Sequence, residues 1–119
     1  MLVVDDDASL GRGIARVLRR VAEVTVEVNS HAALQRLLRC EPFDLVLCDV
    51  MMPIMNGAEV LERLVASAPE VASKFVFMSG GMPDEIRARV VASGRACLEK
   101  PLSTEPLMEL MARIQVSRM

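Results

Sequence analysis

Five short apolar runs, each followed by a stretch of helical periodicity, constrain this chain more than any other feature. Leu2-Val3-Val4 breaks off in Asp5-Asp6-Asp7, and Leu10, Ile14, Val17, Leu18 and Val21 then recur at helical spacing. Val24, Val26 and Val28 alternate with polar residues, as a half-buried edge strand does, and Ser30 stands where a second helix with Ala33, Leu34, Leu37 and Leu38 needs an N-cap. Phe43 to Cys48 runs into Asp49 as a central strand. Pro53 and Gly57 then exclude a helix interior, and a third helix carries Val60, Leu61, Leu64 and Val65. Phe75-Val76-Phe77-Met78 forms a fourth strand ending at Ser79-Gly80-Gly81, and Pro83 opens a helix with Ile86, Val90 and Val91. Ala96-Cys97-Leu98 is the last strand. Lys100-Pro101 follows, then an amphipathic helix through Leu107, Leu110, Met111 and Ile114. Short strands buried on both faces and joined by helices predict an α/β fold, a doubly wound five-stranded parallel sheet with helices on both faces.

The length of 119 residues fits one domain, residues 1–119. The chain starts almost on its first strand, and nothing resembling an output segment follows the last helix. A domain cut from a longer protein is therefore the expectation. With no Trp, no Tyr and three Phe, the core must be aliphatic, with nine Met as adaptable filler, and base stacking on aromatics is a poor prospect. A net charge of -2 argues against direct nucleic-acid binding, and Arg12, Arg16, Arg19 and Arg20 read as a solvated helix face. No segment reaches the ~18 apolar residues of a membrane span and no signal peptide opens the chain, so a cytoplasmic protein is expected. Cys40, Cys48 and Cys97 form no CxxC pair and read as reduced, packed thiols. His31 is the only histidine, which leaves zinc improbable.

In parallel sheets of this kind ligands sit beyond the carboxyl ends of the strands. Four of the strands end in pointed chemistry: Asp5-Asp6, Asp49, Ser79 and Lys100. Three carboxylates within a few ångströms repel one another unless a cation joins them, and Mg2+ suits an all-oxygen site that keeps water ligands. Lys100 adds a point charge and Ser79 a hydroxyl donor, a set suited to a phosphoryl group carried on a carboxylate. Singly, each residue has a bland reading. Asp7 is the natural cap of the first helix, Ser79 a turn residue before Gly80-Gly81, and Lys100 a surface lysine. One member per strand, all at one edge, is what turns these positions into a candidate site.

The same residues resemble the receiver domain of bacterial response regulators and hybrid histidine kinases. Val3-Val4-Asp5-Asp6-Asp7 is similar to the family's acidic pair, and Phe43 to Pro53 with Asn56-Gly57 resembles its phosphoacceptor segment. Phe77-Met78-Ser79-Gly80-Gly81 looks like the Ser/Thr motif and Glu99-Lys100-Pro101 like the Lys-Pro motif, so the likeness spans the chain. It implies a flavodoxin-like (βα)5 fold and a Mg2+-dependent switch. Asp49 would take a phosphoryl group from a histidine kinase or histidine phosphotransfer protein. Asp6 and Asp49 would bind the metal directly, Asp5 through water, and Met51 through its main-chain carbonyl. Ser79 would move toward the phosphoryl oxygen and Lys100 would pair with it. The Lys100-Pro101 bond is a cis candidate. Beyond self-phosphorylation and autodephosphorylation, the resemblance implies no enzyme. The output would be a downstream protein or attached domain reached through the surface of Arg87, Arg89, Arg95 and Glu109, with homodimerisation open. Ser-Gly-Gly and Leu-Glu-Lys-Pro are similar to receivers of hybrid kinases. Met51 and Gly81 stand where the family tunes phosphoryl lifetime.

One position departs from the pattern. Cys97 stands where the family usually carries the Tyr or Phe of its switch, and a thiol lacks that reach. This departure motivates an alternative, a pure interaction module. A phosphatase with an aspartyl-phosphate intermediate would need a general acid at Met51, which cannot donate a proton. A flavodoxin-type cofactor binder would need the loop after the first strand to cradle phosphate, and that loop is acidic.

Overall fold

Runs such as LVV and FVFMS offer no polar face to water, so the sheet they form must be covered on both sides. The computed structural model describes the backbone of residues 1–118 and the side chains of residues 1–113. Its strands are β1 (Leu2–Val4), β2 (Thr25–Glu27), β3 (Val46–Asp49), β4 (Phe75–Ser79) and β5 (Cys97–Glu99). They form one five-stranded sheet in the order β2-β1-β3-β4-β5, with every neighbouring pair parallel. The helices are α1 (Ala8–Leu18), α2 (Ser30–Leu38), α3 (Gly57–Ser67), α4 (Pro69–Ala72), α5 (Asp84–Ala92) and α6 (Thr104–Arg118).

Strand alternation sorts the core into two layers. Leu2, Val4, Val46, Cys48, Phe75 and Phe77 pack against α2, α3 and α5 through Leu34, Leu37, Leu61, Leu64 and Val90. On the other face Val3, Leu47, Val76 and Met78 meet Ile14 and Leu18 of α1 and Leu107, Leu110 and Met111 of α6. The two densest aromatics, Phe75 and Phe77, meet edge to face with centroids 5.1 Å apart. Each fully buried Leu or Phe contributes roughly 1.5–3 kcal/mol relative to exposure, so this bilayer of aliphatics is what rigidly aligns the strand ends.

Several details differ from the sequence expectation. Asn29, one residue before Ser30, caps α2 by accepting from the Ala32 amide at 2.9 Å, and Ser30 is instead a buried first residue of the helix. Asp7 caps α1 through the Ser9 amide, as expected. A short helix, α4, intervenes between α3 and β4, opened by Pro69 at its first turn. Val17, Leu38, Val65 and Val91 are exposed, because a helix lying on one sheet buries only a stripe of ~100°, and Val21 is exposed in the turn after α1, which ends at Leu18. Cys48 is packed, but Cys40 and Cys97 are exposed. Cys97 lies on β5, an edge strand, and so lacks a second neighbour to cover it. Ile114, expected in the last helix's apolar face, lies outside the described side chains.

Gly57 fixes how α3 sits on the sheet. Its amide donates to the Val50 carbonyl at 2.7 Å, and a Cβ there would stand 2.5 Å from the Asp49 carbonyl oxygen. Only a residue without a side chain lets the helix close over the end of β3. Gly57→Ala is therefore expected to lower the urea midpoint by an amount worth about 1–3 kcal/mol, with the denaturant slope unchanged. An unaltered midpoint would show that this close approach is not tight.

Candidate functional site

Parallel strands present all their carboxyl ends at one edge, and the order of this sheet adds a crevice there. After β1 the chain turns to α1 on one face, whereas after β3 it turns to α3 on the other, so the connections diverge between the two central strands. Asp5 and Asp6 leave β1 into that crevice and Asp49 ends β3 beside them. One carboxylate oxygen from each of the three lies within 4.8 Å of the others, with Asp5 and Asp49 buried and Asp6 exposed. Lys100 arrives from the end of β5. Its ammonium donates to Asp5 Oδ2 at 2.7 Å and lies 3.2 Å from Asp49 Oδ2. The other oxygen of Asp5 accepts from the Asp7 amide at 2.8 Å, which holds the carboxylate rigidly in place.

Three carboxylates and one ammonium leave a surplus of two negative charges in a partly buried space. The protonation equilibria feel that surplus. Burial pushes the Asp49 carboxyl above its ordinary value and the Asp5 charge adds to it, against the pull of Lys100. For Lys100, burial acts downward, but its hydrogen bond to Asp5 and the charge of Asp49 outweigh it and the net shift is upward. The neighbouring carboxylates act in the same direction on both groups: the charge of Asp5 adds to burial at Asp49, and Asp5 with Asp49 overcomes burial at Lys100. Oxygen donors carrying two uncompensated negative charges match a hard divalent cation, and Mg2+ in particular keeps water ligands where the protein offers few.

Ser79 ends β4 and is buried. The Lys100 amide donates to its carbonyl at 2.9 Å, tying the two strand ends together. Its hydroxyl donates to the Gly81 carbonyl and accepts from the Gly81 amide, both at 3.0 Å. The Lys100-Pro101 bond is cis. Met51 follows Asp49 by two residues and is exposed. Behind the cluster, Cys48 donates its thiol to the Asp49 carbonyl at 3.4 Å, and burial drives its pKa upward, so it stays protonated. The structure thus gathers Asp5, Asp6, Asp49 and Lys100 at one crevice, with Ser79 on the adjoining strand. Cys97 is outside that carboxylate crevice, on the edge strand, where it shares a cavity with Ser79 and Lys100. Of the four residues expected to be exposed on the partner-facing surface, Arg87 and Glu109 are exposed and Arg89 and Arg95 are half-buried. Arg89 forms an ion pair with Glu62, and Arg95 donates to the Ser73 carbonyl at 2.8 Å. The pairing of Ser79 with its own loop had no signature beyond the Ser-Gly-Gly sequence itself.

A doubly wound sheet whose central crevice carries an acidic triad and a lysine has the architecture of the receivers of two-component signalling. The family model for the response regulator receiver domain matches residues 1–112, and the chain belongs to that family. It is similar to the sensory/regulatory protein RpfC of Xanthomonas campestris, with 31% identity over 98% of this chain but only 16% of that protein. The two-component response regulator ORR41 of Oryza sativa is 32% identical, and the match covers 98% of this chain and 94% of ORR41. Among solved structures, a CheY-like response regulator receiver domain protein from Methanospirillum hungatei superposes with a TM-score of 0.83 at 25% identity, covering 98% of this chain and 94% of that one.

The raised pKa of Asp49 makes a stability prediction. Because the folded protein holds this proton more tightly than the unfolded chain does, ionised Asp49 destabilises the fold at neutral pH. Asp49→Asn should raise the urea midpoint in metal-free buffer at about pH 7, and the Lys100–Asp5 pair should survive the change. The gain should fade as pH falls through the raised pKa and vanish below the ordinary value of 3.8, where both proteins are neutral at position 49. A lower midpoint for the variant at neutral pH would contradict this.

Proposed function

We propose that the chain is a phosphoacceptor switch in which Asp49 receives a phosphoryl group from a partner's phosphohistidine. The observation that carries this reading is the convergence of Asp5, Asp6 and Asp49 on one crevice with Lys100 bridging two of them. Asp49 is the nucleophile. A carboxylate oxygen bonds to phosphorus as the bond from phosphorus to the donor's imidazole nitrogen breaks, and the imidazole leaves with that electron pair. Asp6, Asp49, Asp5 through water and the Met51 carbonyl would hold Mg2+, which would supply positive charge to the phosphoryl oxygens. Lys100 follows the charge, turning from Asp49 to a phosphoryl oxygen while Asp5 keeps it in place. Ser79 donates to a second oxygen. The product carries about −1.5 to −2 charges and three acceptor oxygens where the free carboxylate carried one charge, enough to reorganise the loop after β4 and to bias the surface of α5, β5 and α6 toward a partner.

The phosphodonor is a histidine kinase or histidine phosphotransfer protein, and the reaction is cytoplasmic. Among the described residues no helix is long and apolar enough to cross a membrane. The chain turns over no exogenous substrate beyond its own phosphorylation and the later loss of that group. The receiver segment spans a small fraction of RpfC but nearly all of ORR41, so both an attached output and a free-standing relay are compatible with it.

Incubation with acetyl phosphate and Mg2+ should add one phosphoryl group by intact mass, and Asp49→Asn should add none. Equal labelling of that variant would place the nucleophile elsewhere. Lys100→Met should slow labelling by about 100-fold, the scale of losing one charged stabiliser of the transition state.

A further inference from the structure

Ser79 cannot take up a phosphoryl oxygen without disturbing its own loop. A hydroxyl has one proton to donate, and that of Ser79 is already given to the Gly81 carbonyl at 3.0 Å. The same oxygen accepts from the Gly81 amide, and this bond can persist when the proton is redirected. A Ser79 hydroxyl turning toward Asp49 therefore releases the Gly81 carbonyl while towing the Gly81 amide with it. Gly81 has φ +142°, a conformation closed to other residues, so the loop's shape is set locally by this reciprocal pair.

The loop has somewhere to go. A cavity of about 350 Å³ lies against it, lined by Ser79, Gly81, Met82, Val91, Cys97 and Lys100. That is room enough for one long side chain. Cys97 is too short to fill it. Met82, the residue after Gly81, is half-buried at its rim and already packs against the apolar layer under α5. An unbranched thioether with three rotatable bonds is the side chain best able to change its seat at small cost. Pro83 follows and starts α5, with no flexible spacer between the moving residue and the helix.

We propose that Met82 is the mobile lever of this protein: when Ser79 turns to phosphorylated Asp49, the towed loop carries Met82 into the cavity beside Cys97, and α5 is repositioned with it. The inference rests on the phosphoacceptor reading above, and one experiment separates the two. The protein is labelled with ¹³C on its methionine methyls, and the Met82 resonance is assigned as the peak missing in Met82→Leu. Spectra are recorded with Mg2+ before and after acetyl phosphate, with labelling of Asp49 followed by mass in the same tube. The Met82 peak should shift on labelling and gain a nuclear Overhauser contact to the Cys97 β-protons. Cys97→Phe, which takes up part of the cavity beside Met82, should reduce that shift. Stoichiometric labelling with the Met82 peak unmoved in the unsubstituted protein would overturn the lever and leave the phosphoacceptor standing. Absence of any label on Asp49 would overturn both.

Discussion

Lys100 bridging Asp5 and Asp49 is the interaction on which the rest of this structure turns. It draws the end of the edge strand β5 to the ends of the central strands β1 and β3, across a sheet in which β5 stands two positions from β3 and three from β1. Yet one ammonium cannot balance three carboxylates. The cluster stays short of positive charge: burial and the charge of Asp5 together raise the Asp49 carboxyl, and the two carboxylates raise Lys100 against its own burial. A partly buried site with a deficit of two charges is poised for a divalent cation, and for the further rearrangement of charge that a phosphoryl group brings.

Such a site is held open against its own repulsion by the packing beneath it. Phe75, Phe77, Leu37 and Leu64 are almost wholly buried, and the close seat of Gly57 on the Asp49 carbonyl leaves the end of β3 little freedom. Rigid layers below and a labile loop above is a sensible division for a switch. The Ser79–Gly81 pair is local and the space beside it is unfilled, so the loop can rearrange while the sheet stays fixed.

The strands and the strand-end residues were legible in the sequence for a physical reason. Runs such as Phe75 to Met78 have no polar face, so they can belong only to a sheet covered on both sides, and parallel pairing then carries Asp5, Asp49, Ser79 and Lys100 to one edge. The departures also have causes. Asn29 and Ser30 are both good caps, and which side chain reaches Ala32 depends on backbone angles that composition does not encode. Helix α4 is too short to show a period, although Pro69 and Glu70 mark its start. Cys97 was expected to pack, but its exposure follows from β5 lying at the edge, a consequence of strand order that emerges only from long-range pairing. The cavity and the loop's hydrogen bonds belong to three dimensions alone.

The central claim is that the uncompensated charge of this crevice calls for a divalent cation held by Asp6 and Asp49. Calorimetric titration of the metal-free protein with Mg2+ in low-salt buffer tests it most directly. The account predicts a single site, with a thermal midpoint that rises as it fills by an amount worth about 2.7 kcal/mol at a hundredfold excess over Kd, and loss of that binding in Asp6→Asn. No heat and no stabilisation in the unsubstituted protein, or undiminished binding in Asp6→Asn, would contradict it.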